Sequence, residues 1–261
     1  MVYLKTYFYT ENELKFLKLN LLESFNHIDK FIICEFNRTH TGEEREFIFE
    51  KHKSYFTEEE LAKIEYLDCD ISSETVYAKD DEAAIHRINE PVMRGYFVKR
   101  MNLNDDDIII SVDADEIIYE HMYPKIIDNV NTKGTTLLKL YQFYYKPTYH
   151  WYNNDFTAPT AIKYGQFKNQ YPCALRYMGQ EISEFAGCHF SWCMSPLEMV
   201  YKLETYAHTQ YRFCADLKLL ENAIENKLYP FDSGVDFKIN EISLDDDILP
   251  KNTKLCLETI K

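Results

Sequence analysis

Two hydrophobic periodicities alternate along the first half of the chain. Residues 2–9 (VYLKTYFY) are β-branched and aromatic, which predicts a strand. Thr10 and Glu13 then have capping-box spacing, and Leu14, Leu17, Leu21, Leu22 and Phe25 recur at helical spacing, so a helix with one apolar face should follow. KFIICEF (30–36) predicts a second strand and NRTHTGEE a polar loop. REFIFEKHKSYF reads as helix, KIEYLDC as a third strand, and DEAAIHRINEPVMRGYFVKRMN as a helix interrupted near Pro91. The fourth strand, DIIISVD, is almost continuously apolar, as a central strand covered on both faces would be. Strands separated by helices predict an α/β chain with a Rossmann-like, mainly parallel central sheet and right-handed crossovers.

Beyond about Gly134 the texture changes. TTLLKLYQFYYKPTYHWY and TAPTAIKYGQF are aromatic and Thr-rich, broken by Pro and Gly, as antiparallel or irregular strands are. SPLEMVYKLETYAH and FCADLKLLENAIENK are amphipathic helices, with Ser195 and Pro196 at N-cap and N1 of the first. No repeat, low-complexity tract or linker interrupts the chain. One domain over residues 1–261 is expected, divided into 1–133 and an aromatic-rich 134–261 that ends in helices.

Composition narrows the function. A chain of 261 residues, 46% hydrophobic and 15% aromatic, has the material for a large core. With 43 acidic against 29 basic residues the formal charge is −14, which argues against nucleic acid as a partner. A phosphate-bearing ligand would need a cation to hold it. The cysteines number seven, with no CxxC pair, and predict reduced, buried thiols in a reducing, cytoplasmic compartment. Cys188, His189 and Cys193 lack the second ligand pair of a zinc site. No run of 18 apolar residues and no secretory pattern occurs, so no membrane anchor is expected.

The chemistry concentrates in DDDIIISVDADEII (105–118). Alternation along a strand would point Asp113 and Asp115 the same way at its carboxyl end, where open parallel sheets bind ligands. Two carboxylates so placed repel unless a cation lies between them, and their oxygens suit Mg or Mn. The bland alternative makes Asp115 the N-cap of a following helix. An EF-hand fails because Ile117 and Ile118 occupy ligand positions, and no Walker loop or GxGxxG is present. A haloacid-dehalogenase-type, Mg-dependent phosphatase with Asp113 as nucleophile remains a rival, although its motif usually follows the first strand and here three strands precede it.

Three blocks resemble glycosyltransferase family 17. FYTENELKFLKLNLLESFNHIDKFIICEFNRTHTGEERE looks like the opening of that family, MRGYFVKRMNLNDDDIIISVDADEI like its Asp-x-Asp-Glu-Ile signature, and AGCHFSWCMSPLEMVYKLETYAH like its later histidine block. They span roughly residues 6 to 211, in the family's order. Cys188 stands where the family usually has Trp, and Ile118 where Pro often follows Glu-Ile. The resemblance implies a GT-A fold and a nucleotide-sugar donor in the first half. It also implies inverting transfer with Mn or Mg, from UDP-N-acetylglucosamine in the best-known members, to a glycan acceptor.

On that reading Asp115 binds the metal, Asp113 binds the metal or the donor ribose, and Glu116 orients the pair. His189 completes the metal shell, with His208 as the second choice. Glu35, at the end of the second strand, would meet uracil or ribose, or be a loop acid. Arg94 would clamp the diphosphate or pair with Glu90, and Lys202 would act beside it or lie exposed. The general base is assigned to Glu184, with Asp155 and Glu181 behind it. The aromatic run YYKPTYHWYNN could stack on sugar rings or be core. A non-catalytic glycan- or nucleotide-binding module is the reading from a third class.

Overall fold

The computed structural model describes residues 1–232 and 234–258. The alternation in the first half produces β1 (Val2–Phe8), α1 (Leu14–Ser24), β2 (Lys30–Phe36), α2 (Glu58–Lys63), β3 (Ile64–Cys69), α3 (Glu82–Ala84), α4 (Glu90–Gly95) and β4 (Ile108–Ser111). A π-helical turn, Ile85–Asn89, joins α3 to α4. The second half contributes β5 (Glu116–Ile118), α5 (Tyr123–Lys133), β6 (Thr135–Tyr144), β7 (Tyr149–Lys163), β8 (Gln180–Ser191), α6 (Pro196–Thr205), α7 (Leu217–Glu225), β9 (Ile239–Glu241) and α8 (Thr253–Leu257).

Local chemistry sets several boundaries. Ser195 accepts the Glu198 N–H, and Glu198 reaches back to Ser195, which starts α6 at Pro196 as the sequence indicates. Gly134, at φ 83°, ends α5 and lets β6 begin at the next residue. The helix expected over REFIFEKHKSYF forms only as 3-10 turns at Phe49–Tyr55. The Ile48 and Phe49 N–H groups donate instead to the buried Glu35 carboxylate, at 2.7 and 3.0 Å, which holds that segment out of an α-helix. The α-helix starts later, at the Thr57–Glu60 capping box.

The strands form one sheet in the order β3-β2-β1-β4-β7-β6-β8-β5, with β9 added to β7. The parallel sheet expected from the first half is the β3-β2-β1-β4 block. The sheet as a whole is mixed, because β7 pairs antiparallel with β4 and β6, and β5 antiparallel with β8, while β6 and β8 run parallel. The short link between β6 and β7 permits only antiparallel pairing. Ile108 and Ile110 pack into the core shared with α1 and α5, and Ile109 into the core shared with α4. β4 is therefore covered on both faces, as its unbroken apolar run indicates. A third, aromatic cluster gathers Tyr144, Trp151, Trp192, Met199 and Leu220 beside α6 and α7.

All seven cysteines are free thiols. Cys188 contacts Tyr119 and the Ile248 carbonyl, and alternation on β8 puts it on the face opposite His189. Among the described residues, no helix is long and apolar enough to cross a membrane.

Candidate active site

The β4 ladder stops at Ser111, two residues before the expected strand end. Asp113 and Asp115 therefore lie in a turn, and strand alternation does not orient them. The chain leaves the middle of the sheet here and restarts as β5 at its far edge, with Glu116 opposite His189 of β8. Several hydrogen bonds fix the turn. Asn20 of α1 donates to the Ala114 carbonyl at 2.9 Å, and the Phe190 N–H to the Asp115 carbonyl at 2.8 Å. The Asp113 N–H donates to Glu116 Oε2 at 2.6 Å.

Both aspartates open onto a cleft of about 490 Å³, but they face different partners. Asp113 receives both terminal nitrogens of Arg94, the longer contact at 3.1 Å, and Arg176 Nη1 lies 3.4 Å away. Burial alone would raise the Asp113 carboxyl, but Arg176 and Arg94 hold it well below the usual carboxylate range. Arg94 also donates from Nε to Glu90 at 2.9 Å. Burial would raise Glu90 too, yet Arg94 and the nearby histidines bring it down to about 2. Arg94 thus gives three of its N–H groups to two carboxylates, including the pairing with Glu90 that the sequence offers as the alternative to a diphosphate clamp. Asp113 is likewise engaged by guanidinium groups on both oxygens.

Glu116 is fully buried and lies 2.7 Å from Arg176 Nη2, while its Oε2 accepts from Arg176 Nη1 at 2.8 Å. Burial, opposed by Arg176, pushes its carboxyl up to about 7. Arg176 came unannounced in the sequence: one Arg in an irregular stretch, carried to the site by the isolated bridge between Pro159 and Arg176. Its neighbours Leu175 and Tyr177 both adopt left-handed backbone angles, φ 51° and 59°. Lys5 was also missed, although a lysine inside an apolar strand is a visible signal. It is fully buried, its Nζ has no hydrogen-bond partner among the described residues, and burial lowers it to about 8.

Asp115 has no arginine. Its Oδ1 is 3.7 Å from His189 Nε2 and its Oδ2 is 3.7 Å from Lys202 Nζ. His189 Nδ1 is 3.0 Å from Gln142 Oε1, and its ring packs on Phe156 with centroids 3.9 Å apart. Burial lowers His189 to about 4, so the ring is neutral near pH 7. With Nδ1–H donating to the Gln142 carbonyl, Nε2 presents its lone pair towards Asp115. Bonds of about 2.1 Å from one ion to each ligand can span a 3.7 Å gap. The carboxylate oxygen suits Mn or Mg, the imidazole suits a first-row transition ion, and Gln142 behind the ring fixes the tautomer that ligation needs. The residues present therefore fit a divalent cation, with Asp115 and His189 as the two donors that face each other across the gap. Lys202 lies over the Trp192 ring at 5.1 Å, and Trp192 is itself held at φ 58°.

Other expected site residues lie elsewhere. Glu35 is fully buried and receives Arg45, Tyr66 and the Ile48 and Phe49 N–H groups, so it organises a loop and cannot meet a base. Glu184 is exposed on β8 and pairs with Lys125 of α5, outside the cleft, which removes it as general base. Asp155 pairs with Lys139 at 2.7 Å and Glu181 is exposed; neither lines the cleft. His208 does line it, together with Tyr144, Trp151, Tyr201 and Tyr206. The aromatic run thus supplies both core and cleft wall.

His40, another cleft residue, packs against Tyr9 with centroids 4.8 Å apart, and burial lowers it to about 4. Between about pH 6.5 and that value the unfolded chain binds the proton that folded His40 refuses. Stability should therefore fall on acidification through this window, by up to about 1.4 kcal/mol per pH unit for one such group. Urea melts of His40→Gln across pH 4 to 7 should show a shallower loss than wild type; parallel curves would refute this assignment.

The sequence model of glycosyltransferase family 17 matches residues 6–227. No curated protein matches the sequence. One similar solved structure is the galactosyltransferase LgtC in complex with donor and acceptor sugar analogues, at 7% identity and TM-score 0.37, covering 64% of this chain and 59% of that one. This chain thus spans less than two thirds of LgtC's length. Another is S. aureus TarS 1–349, at 10% identity and TM-score 0.39, covering 86% of this chain and 73% of that one.

Proposed function

Since the chain belongs to glycosyltransferase family 17, we propose that the cleft binds a UDP-sugar, with N-acetylglucosamine as the sugar, and transfers it with inversion to a glycan acceptor. The observation that carries this reading is the meeting of Asp115, His189 and Lys202 from a turn, β8 and α6 at one place in the cleft. Four parallel strands, with the acidic turn following the carboxyl end of β4, support the GT-A arrangement. Free thiols support a reducing, cytoplasmic setting.

In the transfer, an acceptor hydroxyl oxygen bonds to the anomeric carbon, the bond from that carbon to the diphosphate oxygen breaks, and UDP leaves. A divalent cation supplies charge neutralisation of the departing diphosphate when bound. Of Arg94, Arg176 and Lys202, which line the cleft, Lys202 has the least committed charge, with Asp115 at 3.7 Å. It faces the diphosphate, taking the role first given to Arg94. Glu116 and Arg176 position the turn from behind. Aromatic walls at Tyr201 and Tyr206 offer stacking faces for sugar rings.

The acceptor proton needs a base. Of the glutamates lining the cleft, Glu90 and Glu116 are held by arginines, which leaves Glu13 and Glu198. Burial raises the Glu13 carboxyl above its ordinary value, against Lys202 and the Tyr9 and Thr10 N–H groups from which its Oε2 accepts, so it is the better proton acceptor of the two. Glu13→Gln should keep UDP binding and lose transfer by about 100-fold or more, whereas Glu184→Gln should transfer at the wild-type rate. Full activity of Glu13→Gln moves the role to Glu198.

UDP release from UDP-sugars, with and without Mn and EDTA, tests the function itself. Phosphate release from phosphoesters would favour the phosphatase reading instead. The Arg94 and Arg176 contacts oppose that outcome, because an Asp113 held between two guanidiniums is a poor nucleophile.

A further inference from the structure

A second cluster of metal-ligating side chains lies at the cleft wall, on residues that the proposed transfer does not use. Glu82 opens α3, His86 stands one turn later in the π-helical turn, and His208 follows α6. Glu82 Oε1 is 3.4 Å from His86 Nε2 and 3.6 Å from His208 Nδ1, and all three ligand atoms lie within 4.8 Å of one another. Tetrahedral zinc with bonds of roughly 2.0 to 2.1 Å places its ligand atoms roughly 3.3 Å apart. Two of the three spacings already approach that value.

The support behind the cluster is more specific than the cluster itself. His86 Nδ1 lies 2.7 Å from Glu90 Oε2, and Glu90 receives Arg94 Nε at 2.9 Å. An ionised carboxylate only accepts hydrogen bonds, so Nδ1 of His86 carries a proton. In the neutral ring, Nε2 then offers its lone pair to the side where Glu82 stands. A carboxylate behind the distal nitrogen is the arrangement that orients zinc-ligating histidines. The π-helical turn is a second sign, since such turns recur at functional sites.

We propose that Glu82, His86 and His208 bind one zinc ion, with a fourth position open to water or a ligand oxygen. The ion would fasten the α3–α4 wall to the segment after α6, where Ala84 and Ile85 cluster with Ala207 and Arg212 pairs with Asp80 at 2.9 Å. α6 carries Lys202, so this clasp would steady one wall of the cleft. The site shares no ligand with Asp115 and His189, and it stands whether or not the donor reading holds.

The test uses the full chain, stripped with chelator and titrated with Zn²⁺ against a chromophoric indicator, with thermal melts and Co²⁺ absorption in parallel. Asp115→Asn should retain one equivalent of zinc, with the cobalt spectrum of a four-coordinate site. Glu90→Gln should weaken zinc by about 10- to 100-fold while the circular dichroism stays unchanged. His86→Ala and His208→Ala should lose both the site and the zinc-induced rise in melting temperature. Should His86→Ala fail to fold, His208→Ala and Glu90→Gln decide the matter. Absence of binding at micromolar Zn²⁺, binding that survives His208→Ala in the Asp115→Asn background, or binding lost in Asp115→Asn alone would each overturn the proposal.

Discussion

Asp115→Asn should abolish the proposed dependence of UDP binding on Mn or Mg and take transfer with it. The substitution keeps the shape of the side chain but removes the charge that faces His189 and Lys202. Its two neighbours in the turn are already engaged, Asp113 by Arg94 and Glu116 by Arg176. We expect UDP affinity in Mn to drop at least 100-fold, about 2.8 kcal/mol, to the level measured in EDTA. Calorimetry in both media checks this. Asp113→Asn should instead act through the fold, lowering the melting temperature because Arg94 and Arg176 lose a shared counter-charge. Equal UDP affinity of wild type with and without metal would end the cation-bridge reading and leave Lys202 as the diphosphate partner.

Arg176→Ala should be the most destabilising single change in the site. It strips the buried Glu116 of its cation and Asp113 of one of two, and breaking a buried pair costs about 3 to 5 kcal/mol. For a chain of this length that corresponds to a fall of roughly 10 °C in melting temperature. The sign with pH is set by Glu116, whose carboxyl burial pushes up to about 7. A carboxyl raised in the folded state holds a proton that the unfolded chain has lost, so the stability is present at low pH and declines as pH rises through about 4.5 to 7. Without Arg176 that decline should run to higher pH. Adding Glu116→Gln should recover much of the loss, since a neutral amide then replaces the carboxylate that lost its cation. A melting temperature within 2 °C of wild type for Arg176→Ala alone would show that Glu116 takes up its proton without cost.

The strands of the first half were legible because each is a short apolar run with strong local preference, and parallel pairing then follows from the helices between them. Asp115, His189 and Lys202 were legible as chemistry from a motif and a resemblance. The partners that decide what each can do were not. Glu35 was read as a strand-end acid facing a ligand, yet it serves donors from Ile48, Phe49, Arg45 and Tyr66, contacts that depend on a loop turning back. Arg176 reaches Asp113 and Glu116 only through an irregular segment that no periodicity announces. Glu184 stands on β8 where it meets Lys125 of α5, a placement set by the packing of that strand and announced by no local motif.

The order of strands also decides when the protein becomes competent during its synthesis. Asp115 leaves the ribosome well before the chain that supplies His189 and Lys202, and β5 has no neighbour to pair with until β8 has been made. β4 must likewise wait for β7 on its open edge. These are contacts of long sequence separation, which form slowly and late. A chain stalled or cut before β8 would carry the acidic turn as a loose, unpaired loop and an uncovered strand edge, prone to association with other nascent chains. The cell should therefore meet this protein either whole and able to bind its donor or incomplete and dependent on chaperones, with no half-active fragment between the two.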